Sequence, residues 1–142
     1  MLARIKEAYP EAEIYGFDIS PTAIKHAKRN LPEGNFKVVD MMEANFPYKD
    51  NQFDLVITDA VLIYANDNVI ENVLREIKRV GNEFFLFVEW HNLKKDFVYD
   101  RYYIYDYGTL LGELGFNDIR AEEIKNWGEE WKKYGRIITA KK

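Results

Sequence analysis

Residues 14–30 read Ile-Tyr-Gly-Phe-Asp-Ile-Ser-Pro-Thr-Ala-Ile-Lys-His-Ala-Lys-Arg-Asn and leave the chain little freedom in local structure. A short apolar run ends on an acid, Asp18. Ser20 then stands where a helix N-cap belongs, and Pro21 takes the first helical position, where its missing N–H costs nothing. Leu31-Pro32 ends the helix after Asn30. A strand that feeds directly into a capped helix is the repeating unit of a parallel sheet, because parallel neighbours are joined only by a crossover.

The same alternation continues along the chain. Leu2, Ile5 and Tyr9 mark one face of an opening helix that Pro10 closes, and residues 13–17 form the strand before Asp18. Residues 35–39 predict the next strand, closed by Asp40. Residues 53–58, Phe-Asp-Leu-Val-Ile-Thr, predict another, buried one. Val69, Ile70, Val73, Leu74 and Ile77 fall on one face of a helix that Gly81 stops. Residues 83–90 are almost unbroken apolar, as expected for a parallel strand covered on both faces. Asp106 caps a helix carrying Leu110, Leu111 and Leu114, and Gly115-Phe116 supplies its C-terminal stop. Residues 118–124 and 136–140 predict two final strands. The loop between them holds Trp127, Gly128, Trp131 and Gly135, which suits an antiparallel pair. The expected fold is α/β and Rossmann-like. A mostly parallel sheet carries helices on both faces and ends in an antiparallel strand pair, all within one domain over residues 1–142.

Charge and composition narrow the function classes. A net charge of -4 disfavours a general nucleic-acid surface, since phosphate is repelled. No apolar run reaches the roughly 20 residues that span a bilayer, no signal-peptide pattern opens the chain, and a cytoplasmic location is the default. The absence of cysteine excludes disulfides, cysteine-ligated zinc and thiol catalysis, and no metal site is expected.

Three blocks carry a resemblance to a known family. The first is Gly16-Phe17-Asp18-Ile19-Ser20-Pro21, with Ala23 and Ala27 on the helix. The second is Val38-Val39-Asp40, then Phe46-Pro47-Tyr48, then Asp50-Asn51-Gln52-Phe53-Asp54-Leu55-Val56. The third is Val61-Leu62-Ile63-Tyr64, then Leu74-Arg75-Glu76-Ile77-Lys78-Arg79-Val80. In order and spacing the chain resembles the class I, Rossmann-like S-adenosylmethionine-dependent methyltransferases that act on small molecules.

The resemblance implies S-adenosylmethionine as cofactor and a role for each matching residue. Asp18 would accept from the ribose hydroxyls and Ile19 would pack on the adenine. Asp40 would accept from the adenine amino group, Met41 would line the same pocket, and Asp59 would lie near the methionine part. A carboxylate can take both hydrogen bonds of a vicinal diol without a metal. The family's opening strand, the middle one of its sheet, and its Gly-x-Gly turn have no counterpart here. The glycines fall at positions 16, 34, 81, 108, 112, 115, 128 and 135, and only twelve residues precede the strand at Glu13. The expectation is that Met1 is not the natural start, that two apolar strand edges are left exposed, and that these edges invite a homodimer.

On the substrate side the candidates are Tyr64, His91, Arg101 and Tyr102. His91 follows a strand end, on the rim where an acceptor would lie, and is the one candidate base. Residues 100–107 are dense in aromatics and read equally as a lid, with Arg101 reading an anionic group, or as ordinary packing. His26, among Lys25, Lys28 and Arg29, reads as a solvated surface residue. The Asn-Pro-Pro-aromatic signature of adenine or glutamine methylation is absent after residue 58, where the chain reads Asp59-Ala60-Val61-Leu62. Methyl transfer to a small molecule therefore leads. A non-catalytic cofactor-binding or protein-interaction domain stands second and a dehydrogenase fragment third.

Overall fold

A computed structural model describes residues 1–94, 96–98 and 102–142, excepting the side chains of 96–98. The chain forms two compact units, Met1–Glu43 and Ala44–Lys142.

In the first unit, α1 (Leu2–Ala8) precedes β1 (Tyr15–Asp18), α2 (Pro21–Asn30) and β2 (Asn35–Val38). Ser20 caps α2 as its sequence requires, its hydroxyl accepting from the Ala23 N–H at 3.2 Å. β1 and β2 pair in parallel, with Asp18 opposite Val38. Backbone bonds extend the ladder at both ends, from Asn35 N–H to Ile14 O and from Val39 N–H to Asp18 O. Ile14, Ile24, Leu31 and Phe36 form the core, against which Leu2, Ile5, Ala12 and Ala27 pack. Burying each large side chain contributes about 2 kcal/mol, so this small unit is held by few residues.

The second unit holds a four-stranded sheet in the order β3 (Phe53–Asp59), β4 (Gly81–Trp90), β8 (Gly135–Lys141), β7 (Asn117–Glu123). β3 and β4 are parallel and joined through α3 (Ile70–Val80); β4–β8 and β8–β7 are antiparallel. The antiparallel C-terminal pair is thus present, and the sheet is mixed. A hairpin of β5 (Asp96–Val98) and β6 (Tyr102–Ile104) follows β4. Then come α4 (Tyr107–Glu113) before β7 and α5 (Glu129–Tyr134) before β8. Asp106 caps α4 through the Thr109 N–H, and Gly115 ends it at φ +75°, a conformation glycine adopts without strain. α3 runs into β4 without a loop. A Cβ at Gly81 would stand 2.4 Å from the Phe85 ring, so any other residue at that junction would have to displace this buried ring.

Two strands differ from their sequence reading. β3 is buried only at Thr58, and Leu55 is 45 % exposed, because β3 ends the sheet and pairs with β4 alone. β4 is covered in its second half, from Phe85 onward, whereas Phe84 is exposed. Phe85 and Phe87 receive the edge of Phe116, and α3 buries Ile70, Val73, Leu74, Ile77 and Val80. α5 and the β5–β6 hairpin, which the sequence presented as loop or packing, are regular structure. Their aromatics do not alternate cleanly, so periodicity does not announce them.

Candidate functional site

β1 ends on Asp18 and Asp40 follows the end of β2 by two residues, and the two acids make the same turn. The Asp18 carboxylate accepts from the Ser20 N–H through Oδ1 at 2.7 Å. Asp40, two residues beyond β2, accepts from the Met42 N–H through Oδ1 at 2.9 Å. In each the second carboxylate oxygen has no hydrogen-bond partner among the described residues. Asp18 and Val38 are register partners, so both turns lie at the carboxyl end of the parallel pair, where open α/β sheets bind ligands. Ile19 is 64 % exposed and Val38 52 % exposed beside them, while Met41 is half-buried. Two open acceptors beside uncovered apolar side chains suit the polar edges and flat face of an adenosine. The glycines of this unit, Gly16 and Gly34, lie before β1's end and before β2; neither offers a phosphate- or carboxylate-cradling turn.

In the second unit, Asp59 closes β3 and is exposed. The next residue, Ala60, has φ +53°, a left-handed conformation that strains an alanine, and its N–H bonds Val88 O at 2.9 Å. The connection then tightens into a one-turn helix, Leu62–Tyr64. Tyr64 is half exposed and meets Tyr102 edge-on, ring centres 5.4 Å apart. Tyr102 in turn meets Trp90 at 5.6 Å, and Trp90 meets Trp131. The structure therefore brings Tyr64 and Tyr102 together, on an aromatic cluster whose tryptophans come from β4 and α5. Arg101 lies outside the described residues.

His91 follows β4 and forms an isolated bridge with Tyr105. Its backbone N–H donates to Tyr134 O at 2.8 Å, and its Nδ1 accepts from the Tyr107 N–H at 3.1 Å. Burial, with Arg136 nearby, pushes its pKa below the ordinary imidazole value, against the pull of Asp106. A neutral ring with Nδ1 so occupied carries its proton on Nε2 and presents a donor.

One functional-looking residue was not singled out from sequence. Glu89, fully buried in β4, accepts from the N–H groups of Val61 (Oε1) and Leu62 (Oε2), each at 3.2 Å. Burial raises its pKa to about 7, opposed by those two amides and by the Thr58 hydroxyl, and reinforced by Asp59. The Thr58 and Tyr107 hydroxyls are buried without a hydrogen bond within normal distance. The sequence signal was a lone acid inside the apolar run Phe-Leu-Phe-Val-Glu-Trp.

Among the described residues no cluster of histidines and acids has the makings of a metal site, and no helix is long and apolar enough to cross a membrane.

Comparison with known proteins gives a consistent result. A family model described as a methyltransferase domain matches residues 1–140. An uncharacterised methyltransferase, sll0829, from Synechocystis is 24 % identical in an alignment that covers 83 % of this chain and 63 % of that one. The chain thus spans less than two thirds of that relative's length. Among solved structures, the PH0226 protein of Pyrococcus horikoshii superposes with a TM-score of 0.73 at 18 % identity, covering 99 % of this chain and 76 % of that one. Magnesium protoporphyrin IX methyltransferase from Synechocystis, solved with S-adenosylmethionine bound, superposes with a TM-score of 0.69 at 22 % identity, over 95 % of this chain and 62 % of that one. At such identities the structural likeness establishes the fold alone.

Proposed function

The chain belongs to the methyltransferase domain family, and from that premise we propose that it serves methyl transfer from S-adenosylmethionine to a small-molecule acceptor. The observation that carries the reading is the pair of open carboxylate oxygens, on Asp18 and Asp40, at the carboxyl ends of two adjacent parallel strands.

Asp18 accepts from the ribose hydroxyls through the oxygen that Ser20 leaves open, and Asp40 accepts from the adenine amino group. Ile19 and Met41 supply apolar contact to the ring. When bound, the sulfonium supplies a methyl group already activated toward a nucleophile, so the protein's work is to hold, orient and exclude water. The family pattern would give the methionine part to Asp59. Tyr64 and Tyr102 offer aromatic faces to the acceptor. His91, neutral and proton-bearing at Nε2, contributes a hydrogen bond to the acceptor more readily than it removes a proton from it. The net charge of -4 supports a small-molecule acceptor over a nucleic acid.

A second reading, a non-catalytic binding domain, is favoured by one observation: no Gly-x-Gly turn stands among the eight glycines. Calorimetric titration of the chain with S-adenosylhomocysteine, beside an Asp18→Ala variant, tests the first reading. Binding that the variant loses supports the adenosine site at Asp18. A folded parent that binds nothing favours the second reading.

A further inference from the structure

The connection from β3 to α3 carries Asp59 at its start and Tyr64 at its middle, and it is held from two sides. Just past Tyr64 the Tyr105 hydroxyl donates to Ala65 O at 2.8 Å. Near its start, immediately after the strained Ala60, Glu89 takes the Val61 and Leu62 amides on separate oxygens, across 28 and 27 residues of chain. Glu89 is 0 % exposed. A wholly buried acid without an ion pair among the described residues is costly to keep, and a neutral side chain would cap a turn at lower cost. What the carboxylate adds is two acceptors in one plane, fixing two successive amides at once.

We propose that Glu89 is a positioning residue: by holding the Val61 and Leu62 amides it sets the backbone that presents Asp59 and Tyr64 at the carboxyl end of the sheet. Its functional consequence rests on the methyl-transfer reading; the hold on the turn does not. The groups facing Glu89 make that hold sensitive to pH. Thr58 lies beside it on β3, and Asp59 on β3 and Tyr107 on α4 lie close enough to feel its charge. Arg136, its register partner on β8, turns instead to the Lys133 and Gly135 carbonyls. Among the described residues no cation neutralises Glu89. Protonation turns one of its two acceptor oxygens into a hydroxyl, and one amide loses its partner.

The test uses the full chain, labelled with 15N, and the variant Glu89→Gln. The Val61 and Leu62 amide protons are followed from pH 5.5 to 8.5, and S-adenosylhomocysteine affinity is measured at pH 6 and 8. The expected result is that both amides titrate together in the parent, with a midpoint near 7, and are silent in the variant. Affinity in the parent is expected to fall about tenfold from pH 8 to pH 6, a change of about 1.4 kcal/mol converted by the tenfold rule. The variant is expected to show the weaker affinity at both values. Amides that ignore pH and exchange freely with solvent in the parent overturn the hold. Titrating amides with affinity equal at both pH values overturn the positioning role. These two parent measurements stand even if the variant does not fold. A parent that binds no S-adenosylhomocysteine refutes the transfer reading, and the amide titration alone then decides the hold.

Discussion

Asp18, which ends β1, and Asp40, two residues past β2, use one and the same device: each carboxylate takes, through Oδ1, the backbone N–H two residues ahead, Ser20 at 2.7 Å and Met42 at 2.9 Å. Such a turn fixes the side-chain rotamer and leaves the other oxygen oriented rather than free to swing. Asp18 is register partner to Val38, so Asp40 lies two residues past the position opposite Asp18.

Asp18→Ala is expected to weaken S-adenosylhomocysteine binding about 100-fold, from loss of two charge-assisted hydrogen bonds at ~1.5 kcal/mol each. Asp18→Asn keeps the acceptor for Ser20 and should fold like the parent while still losing affinity. Calorimetry on both variants, with circular dichroism as the control for folding, checks this. Equal affinity in Asp18→Asn and the parent would contradict the ribose role.

Asp40→Ala is expected to reduce the same affinity about tenfold, for a single hydrogen bond from the adenine amino group. An analogue with hypoxanthine in place of adenine lacks that donor. It should bind the parent and Asp40→Ala about equally, and a persisting difference would place Asp40 elsewhere.

Glu89 sets a pH dependence of stability with a definite sign. Its pKa in the fold, about 7, lies above the ordinary carboxyl value, so the folded state binds more protons between about 4.5 and 7. Stability is therefore highest at the acid end of that window and falls as pH rises through it, by about 3 kcal/mol from this group. Urea unfolding at several pH values should show the decline in the parent and a flatter profile in Glu89→Gln.

His91 carries the opposite sign. Burial holds its pKa below the ordinary value, so the unfolded chain takes a proton first as pH falls below about 6.5. Its contribution is present above that pH and is lost below it, until the folded imidazole protonates. Nitrogen-15 spectra of the ring should show the Nε2–H tautomer at pH 7, because Nδ1 accepts from Tyr107. The Nδ1–H tautomer would overturn both the contact and the donor role.

Arg79 ties the segment after Ala44 to α3. It bonds the Phe46 and Tyr48 carbonyls, Asp50 and Glu76, while Glu76 also accepts from the Phe46 N–H. Arg79 holds the Glu76 carboxyl below the usual range. Arg79→Leu is expected to cost about 2 kcal/mol in thermal or urea unfolding, with S-adenosylhomocysteine affinity unchanged.

The elements with strong local signals were legible from the chain alone. Ser20-Pro21 and Asp106 mark helix starts that the structure places at those residues, and Gly81 and Gly115 mark the stops. β3 showed how a local pattern misleads. Its apolar run reads as buried, yet burial is set by neighbours, and β3 has one only on the β4 side. The pairing of Tyr64 with Tyr102 could not be read either, because the two are joined through a hairpin whose aromatics lack a clean period.

The sequence by itself determined the order of strands and helices, their caps and stops, and the acids at or just past the ends of β1, β2 and β3. Each depends on dihedral preference, periodicity or a hydrogen bond reaching only two or three residues. Only the tertiary structure decided that Glu89 meets the Val61 and Leu62 amides, and that His91 Nδ1 is taken by Tyr107. Those contacts join residues 16 to 28 positions apart. Burial, which raises one pKa and lowers the other, is a property of the packed neighbours and of no single residue.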